Sequence, residues 1–599
     1  MKPVLIALTA SGGALARRLA VPLGATVYGL RGRVAEADRH FDEAISAIRA
    51  LHEAGHPVIG VCAAGILIRA VAPAIAGKHR DAAVVAVAED GSVAVPLIGG
   101  HHGANDLARR IAALTGGAAA ITTAGDIALG IALDAPPPGW RIADDDAVKP
   151  AAAALLAGTK ATLTVDADLG EVARWLAPLP KADAGGHPIA VTARVPAAGG
   201  ALVYHPPVLA LGAGGERGVD ADEMIALAER TLAAEGLSPR AIACVASIDL
   251  KADEPAIHAL GAHFGVPVRF FDAAALAAEA PRLANPSDVV LRATGCPGVA
   301  EGAALAAAGG QATLIVPKLK SARGTCAVAL SPTTIDPLAV GRACGTLAIV
   351  GIGPGASAWR TPEVTEALAQ ADEIVGYTLY LDLVADAIAG KPRHDGTLGA
   401  EEERVRLALD RAAAGRNVAL VSSGDAGIYG LATLAFELID RGGRDDWRRI
   451  AVRVCPGISA LQAAASRAGA PLGHDFCAIS LSDLLTPWPT IERRLAAAAA
   501  ADFVIALYNP ASQRRITQFR RAIAIIGATR PADTPVAIAR NLGRPGETLA
   551  MTTLAAAADA EIDMLTIVVI GSSQTRRARA GGTPRMYTPR GYAAGHARE

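Results

Sequence analysis

Residues 346–377, TLAIVGIGPGASAWRTPEVTEALAQADEIVGY, hold the densest chemical signal in this chain. An apolar, β-branched run, Leu347 to Val350, enters Gly351-Ile-Gly-Pro-Gly355, three glycines in five positions. A helix is expected next, with Thr361 as N-cap and Pro362 at its first position, where a missing N–H costs nothing. A second strand, Glu373 to Gly376, closes the unit. Glycine turns between strand and helix let a ligand approach the backbone closely. A dinucleotide would fit a loose G-x-G-x-x-G/A pattern over Gly351, Gly353 and Ala356. Two features oppose it. Pro354 removes an N–H from the would-be phosphate loop, and the acidic pair Asp372 and Glu373 precedes the second strand instead of ending it. A nicotinamide oxidoreductase therefore stands only as a competing reading, which a nicotinamide titration tests.

Further motifs follow in order: Ser422-Ser-Gly-Asp-Ala-Gly-Ile-Tyr429, Cys455-Pro-Gly-Ile-Ser-Ala460, the run Gly469 to Trp488, Ala506 to Ser512, Ile538 to Thr548, Ser572 to Arg577 and Thr588 to Tyr592. In this order they resemble the tetrapyrrole methyltransferases, and most narrowly the precorrin-3B C(17)-methyltransferase family of cobalamin biosynthesis. The resemblance implies a two-lobed tetrapyrrole methylase fold that binds S-adenosylmethionine. By it, Pro354, Ser423, Gly424, Asp425, Ile428, Ser459, Ala460, Asn509 and Ala537 line the cofactor cleft, and Gly351, Gly353 and Gly355 border the tetrapyrrole. It also implies a homodimer through this half.

The sulfonium donor is already activated, so methylation asks mainly for in-line positioning. Ring contraction moves protons and asks for an acid or base. His394, His474 and Tyr508 are the expected catalytic candidates, with Asp475, Ser480 and Asp483 nearby in sequence. Ser480 and Asp483 are also expected to bind substrate. Arg540 and Arg544 are expected to hold substrate carboxylates, because guanidinium binds them bidentately. A cobalt-containing substrate is the alternative to metal-free precorrin-3B.

The first 330 residues resemble a second family, the cobalt-precorrin-5A hydrolases. The match runs through Ile66–Pro73, Ala82–Asp90 and the loop Gly99-Gly-His-His-Gly-Ala-Asn-Asp106. It resumes through Leu209–Arg217, Ser247–Pro255, Pro297–Glu301 and Val316–Ser321. Lactone opening needs an activated water and an oxyanion stabiliser. His101 and His102, at a glycine-rich turn, are the expected base. Asp249, Lys251, Glu254, Glu301, Lys318 and Lys320 could bind or activate substrate. The alternative is a catalytically silent tetrapyrrole-binding module.

The chain has 599 residues, 52% hydrophobic and 19% charged, with net charge −1. That balance describes a globular protein with no pull toward nucleic acid or anionic membrane. The length implies several domains, and the alternation of strand-like with helical stretches implies an α/β architecture. There is no apolar run of about 18 residues, and the N-terminal apolar stretch is shorter than a signal peptide requires. A cytoplasmic protein is expected. Seven scattered cysteines without a C-x-x-C suggest reduced core residues and no metal site. Punctuation divides the chain into 1–135, a middle domain 136–203, a third domain 204–330, an exposed linker 331–345 around Ser331 to Pro337, the methylase 346–575 (lobes about 346–455 and 456–575), and a basic solvated tail 576–599.

Overall fold

A computed structural model describes residues 2–77, 80–196, 199–512 and 517–591. Two compact units emerge, Met1–Cys344 and Gly345–Glu599. All of it is α/β, as the alternation of apolar runs with alanine-rich amphipathic stretches dictates.

The first unit holds three sheets. The N-terminal sheet orders its strands Arg39–Phe41, Thr26–Leu30, Val4–Ala7, Val58–Val61, Val84–Val87, Val93–Ile98 and Ala118–Ala119. Val4–Ala7 and Val58–Val61 are parallel neighbours, and the chain winds outward from them in opposite directions. Such a reversal opens a crevice at the strands' carboxyl ends. A four-stranded middle sheet includes Leu202–His205, so the middle domain runs two residues past the expected boundary at 203. The third sheet orders Val268–Phe271, Ile242–Ile248, Leu209–Gly215, Gly324–Leu330 and Thr313–Lys320.

The expected linker is no linker. Ser331 and Ile335 are buried, and their N–H groups donate to Val208 O and Pro207 O at 2.9 and 2.8 Å. Arg342 exchanges backbone hydrogen bonds with Phe270, and the Arg269 guanidinium clasps Val340 O and Gly341 O. Pro332 and Pro337 do break regular structure, but the broken segment is the third domain's own edge. The junction between the units falls at 344/345.

In the second unit, the first lobe is a five-stranded parallel sheet ordered Arg393–Gly396, Glu373–Tyr377, Asn417–Ser422, Thr346–Gly351, Ala451–Cys455. The central strands are apolar through their interiors, Leu347–Val350 and Val418–Val421, because helices cover both faces. Thr361 caps the helix Pro362–Gln370 by accepting from Val364 N–H, with Pro362 at its start. The second lobe's sheet orders Phe476–Ser480, Val504–Tyr508, Thr566–Ile570, Pro535–Arg540, Thr548–Thr553. Only its first pair is parallel.

The basic tail is also corrected. Arg576–Ala580 and Thr583–Tyr587 form an antiparallel hairpin whose second strand pairs with Gly469–Ala470. Met586 is fully buried, and Thr588 Oγ1 lies 2.8 Å from Thr575 Oγ1. Every residue of Arg576–Ala580 is exposed, arginines and alanines alike, and the anchoring side chain is Met586 on the partner strand. Tyr592 and the residues after it lie outside the described residues.

Candidate functional site

Three strand-ending loops meet at the carboxyl edge of the first lobe's sheet: those after Gly351, Ser422 and Cys455. Adjacent parallel strands place them side by side. Gly353 N–H donates to Gly424 O at 3.1 Å, and Gly424 N–H to Gly353 O at 2.8 Å. The third loop is tied in by Asp425, whose two carboxylate oxygens accept from Gly427 N–H (2.8 Å) and Gly457 N–H (3.1 Å). A Cβ on Gly457 would overlap both Gly424 O and Gly351 O, and one on Gly351 would stand 2.6 Å from Gly424 O. These glycines are required because the loops pack backbone on backbone. Gly424 differs: its φ is +66°, and a Cβ there would meet nothing nearer than Ala460 N and Ser459 Cα at 3.9 Å.

Ser459 and Ala460 begin the helix Ala460–Ala468. Ser459 and Gln462 form a reciprocal capping box, and the Tyr508 hydroxyl accepts from Leu461 N–H at 3.0 Å. Burial raises the Tyr508 phenol above its ordinary 10.0. The next residue, Asn509, has φ +50° and donates from Nδ2 to Ser480 Oγ at 3.0 Å. Tyr429, in the second loop, packs 5.1 Å from the Tyr508 ring, donates to Ala478 O and has φ +52°. Four described non-glycine residues have positive φ, and Tyr429, Asn509 and Asn541 all flank this cleft. Backbone strain concentrates where the surroundings hold a functional geometry.

Arg544 reaches across from the second lobe. Its Nε donates to Pro354 O at 2.7 Å and its Nη2 to Ser423 Oγ at 2.9 Å. A Cβ on Gly355 would stand 2.6 Å from Arg544 Cγ, so that glycine admits the arginine stem. The structure thus brings together Gly351, Gly353, Pro354, Gly355, Ser423, Gly424, Asp425, Ser459, Ala460, Tyr508 and Arg544. Asn509 and Ser480 form the adjoining rim. Ile428 is exposed beside Tyr429, and Ala537 is buried in the apolar cluster that includes Leu461 and Ala464. Ala537 supports the site from below.

Other expected residues stand apart from these loops or already have partners. His394 lies early in an edge strand and pairs with Glu373 Oε2 at 2.9 Å, toward the opposite end of the sheet from the three loops. Glu373 also holds Arg411, and its carboxyl sits below the ordinary 4.5 chiefly through that bond, so the histidine belongs to a structural ion cluster. His474 is exposed before Phe476–Ser480, beyond the strand end remote from Tyr508, 3.4 Å from Asp475. Arg540 is committed to Asp563 at 2.6 Å. Asp483 is exposed and accepts from Gln518 Nε2 at 3.2 Å. Sequence reasoning also missed Tyr429 as a site residue. Its motif placed it in the right loop, but positive φ leaves no compositional mark on a tyrosine.

In the first unit, the side chain of His101 lies outside the described residues. Its backbone forms the short turn Gly100–His102 after Val93–Ile98. That strand runs antiparallel to Val84–Val87, with Ile98 opposite Val84. The turn therefore sits at the sheet end away from the crevice beside Ala7 and Val61. At the crevice end stand Thr9, Ser11 and Glu89, with the Glu89 carboxylate accepting from Thr9 Oγ1 at 2.8 Å and Ser11 Oγ at 2.5 Å. Those hydroxyls, Ser11 first, hold the Glu89 carboxyl below 4.5. Neighbouring Cys62 is buried, which pushes its thiol up to about 11.

The third domain's candidates are largely spent on structure. Glu301 is buried and accepts from Ala284 N–H, Asn285 N–H, Asn285 Nδ2 and Lys318 N–H, all within 2.9 Å. Burial raises its carboxyl, and these four donors more than offset that. Asp249 pairs with Arg342 at 2.7 Å. Glu254 accepts from Gly218 N–H and holds Lys251 at 3.4 Å. The Lys318 ammonium donates to Asn285 O, and Lys320 is exposed.

No described helix is long and apolar enough to cross a membrane, and among the described residues no His/Cys/Asp/Glu group could hold a metal.

Three family models match the chain: Tetrapyrrole (Corrin/Porphyrin) Methylases over residues 346–558, Cobalamin synthesis G N-terminal over 46–126 and Cobalamin synthesis G C-terminus over 209–329. The precorrin-3B C(17)-methyltransferase of Sinorhizobium sp is 47% identical over 253 residues, 42% of this chain and 98% of that protein. The probable cobalt-factor III C(17)-methyltransferase of Salmonella typhimurium is 46% identical over 246 residues, 41% of this chain and 99% of that protein. The solved structure of the methyltransferase CobJ is 40% identical, covers 41% of this chain and all of its own, and has a TM-score of 0.38. With three glycine loops joined at one sheet edge and near-complete coverage of such relatives, the chain belongs to the tetrapyrrole methylase family, and ahead of that half it carries the N- and C-terminal domains of cobalamin synthesis G proteins.

Proposed function

We propose that the second unit transfers a methyl group from S-adenosylmethionine to C(17) of precorrin-3B with ring contraction, in corrin-ring synthesis. The carrying observation is the joining of the Gly353, Gly424 and Gly457 loops, which leaves the open side of Gly424 facing the start of the Ala460–Ala468 helix. The sulfonium cofactor supplies the electrophilic methyl. The protein supplies position through Pro354, Ser423, Asp425 and Ser459, and Tyr508, protonated at neutral pH, offers a hydroxyl for the proton movements of contraction. We prefer Tyr508 to His394, which pairs with Glu373, and to His474, which precedes the strand end remote from Tyr508.

Titrating the full chain calorimetrically with S-adenosylmethionine and with NADH is the first test. Binding of the former alone is expected, and NADH binding without S-adenosylmethionine binding refutes the reading. Incubation with metal-free precorrin-3B or its cobalt counterpart then reads substrate choice from product mass and absorption spectra. Turnover of the metal-free compound is expected, and turnover of the cobalt compound alone reverses the choice. A homodimer through this half is expected by sedimentation.

For the first unit we infer opening of a lactone on a cobalt corrinoid, with release of acetaldehyde. The specific support is an ionised carboxylate, Glu89, at the crevice of a doubly wound sheet. Glu89→Gln should lower acetaldehyde release by about 100-fold, while His101→Ala should leave it within a few-fold. Because the folded carboxyl titrates below 4.5, wild-type activity should hold at neutral pH and fall only on acidification below that value. Corrinoid binding without any acetaldehyde would instead identify a binding module.

A further inference from the structure

From the second lobe, Arg544 hydrogen-bonds to both the first glycine loop, at Pro354 O, and the second, at Ser423 Oγ. Its loop is itself braced against the first lobe. Gly543 N–H donates to Glu547 Oε2 at 2.8 Å, Glu547 pairs with Arg467 at 2.7 Å, and the Arg467 guanidinium lies 4.3 Å over the Trp359 ring, just past the first loop. Asn541 at φ +51° and Gly543 at +69° make the turn that aims Arg544 inward, and Arg544 N–H closes it on Asn541 O. Gly543 and Gly355 are both small where the loops touch: a Cβ on Gly543 would stand 3.0 Å from Ala356 N.

Arg544 also lacks the counter-ion that a guanidinium in such a place usually has. Among the described residues no carboxylate forms an ion pair with it, and its guanidinium lies 5.9 Å from the Tyr380 ring centroid. Its acceptors are one carbonyl and one hydroxyl, both on the loops assigned above to tetrapyrrole and cofactor. A planar fork with donors in fixed directions can hold two loops in register, which a lysine ammonium cannot do in the same way. Binding energy spent on register appears in the chemical step, because a misplacement of about 1 Å between reacting atoms can cost about 100-fold in rate.

We propose that Arg544 is a positioning residue for methyl transfer: it locks the Pro354 loop to the Ser423 loop and so fixes the tetrapyrrole edge against the methyl donor. This replaces the expectation that it binds a substrate carboxylate, and it rests on the methyltransferase reading above.

The test uses the full chain with wild type, Arg544→Ala and Arg544→Lys. Calorimetry gives S-adenosylmethionine affinity, steady-state kinetics separates kcat from KM for the tetrapyrrole, and thermal unfolding checks the fold. Arg544→Ala should lower kcat about 100-fold with KM and cofactor Kd within about threefold. Guanidinium ion at millimolar concentration should restore part of the lost kcat. Arg544→Lys should bind cofactor normally yet remain slow. A tenfold rise in KM with unchanged kcat would return Arg544 to substrate carboxylate binding. Wild-type kcat in Arg544→Lys, or a shared fall of unfolding temperature and cofactor affinity without guanidinium rescue, would also overturn the proposal. A wild type that binds no S-adenosylmethionine refutes the methyltransferase reading itself, a separate result visible before any variant is made.

Discussion

Replacing Gly457 by alanine should abolish measurable S-adenosylmethionine binding, a loss of at least about 100-fold, near 2.7 kcal/mol. The added methyl would overlap two carbonyl oxygens, Gly424 O and Gly351 O, which belong to two different loops. Neither can rotate away cheaply, since Gly424 is bonded both ways to Gly353 and Gly351 ends a central buried strand. The third loop must therefore lift off the other two, breaking the Gly457 N–H bond to Asp425. Gly424→Ala provides the internal control. Its Cβ would sit in open space, so the cost is mainly left-handed strain of about 1–2 kcal/mol, and binding should weaken only about tenfold. Calorimetric titration of both variants checks the order. Equal losses would mean that the glycines serve ligand approach more than loop packing.

Glu301→Ala should destabilise the third domain by about 3 kcal/mol. The side chain is about 1% exposed, and its two oxygens satisfy three backbone N–H groups and one side-chain amide. Removing it leaves those donors buried without acceptors, which costs more than the bonds were worth in exchange for water. Glu301→Gln keeps the volume but turns an amide NH2 toward existing donors, so about half the loss is expected. Urea titration followed by hydrogen exchange in residues 209–330 reads the effect. Protection at Asn285 and Lys318 should fall first, because Glu301 joins those two segments. An unchanged urea midpoint together with lost acetaldehyde release would restore Glu301 as a substrate residue.

Much of the cofactor side was legible from residue order alone. The strands at Thr346–Gly351 and Glu373–Tyr377 fall within a residue of their expected positions. Buried parallel strands are short apolar runs with glycine turns, and both signals are local. The same locality carried Thr361 as a cap. Residues whose roles depend on a distant partner were less readable. His394 looks like a loop acid/base until Glu373, 21 positions earlier, claims it. Arg544 and Arg540 stand four apart with identical chemistry. One meets Asp563, and the other crosses 190 positions to Pro354.

The sequence by itself determined the α/β class, the two families and the membership of the three glycine loops, because these depend on short-range periodicity and on motif order. Tertiary structure alone decided that residues 331–344 belong to the third domain, that the arginine tail is a hairpin, that Glu301 is a buried anchor and that Glu89, not the His101 turn, stands at the sheet's crevice. Each of those outcomes is set by which strands become neighbours and in which direction they run. Strand neighbours are chosen by burial summed over the whole sheet, and no local stretch of residues contains that sum.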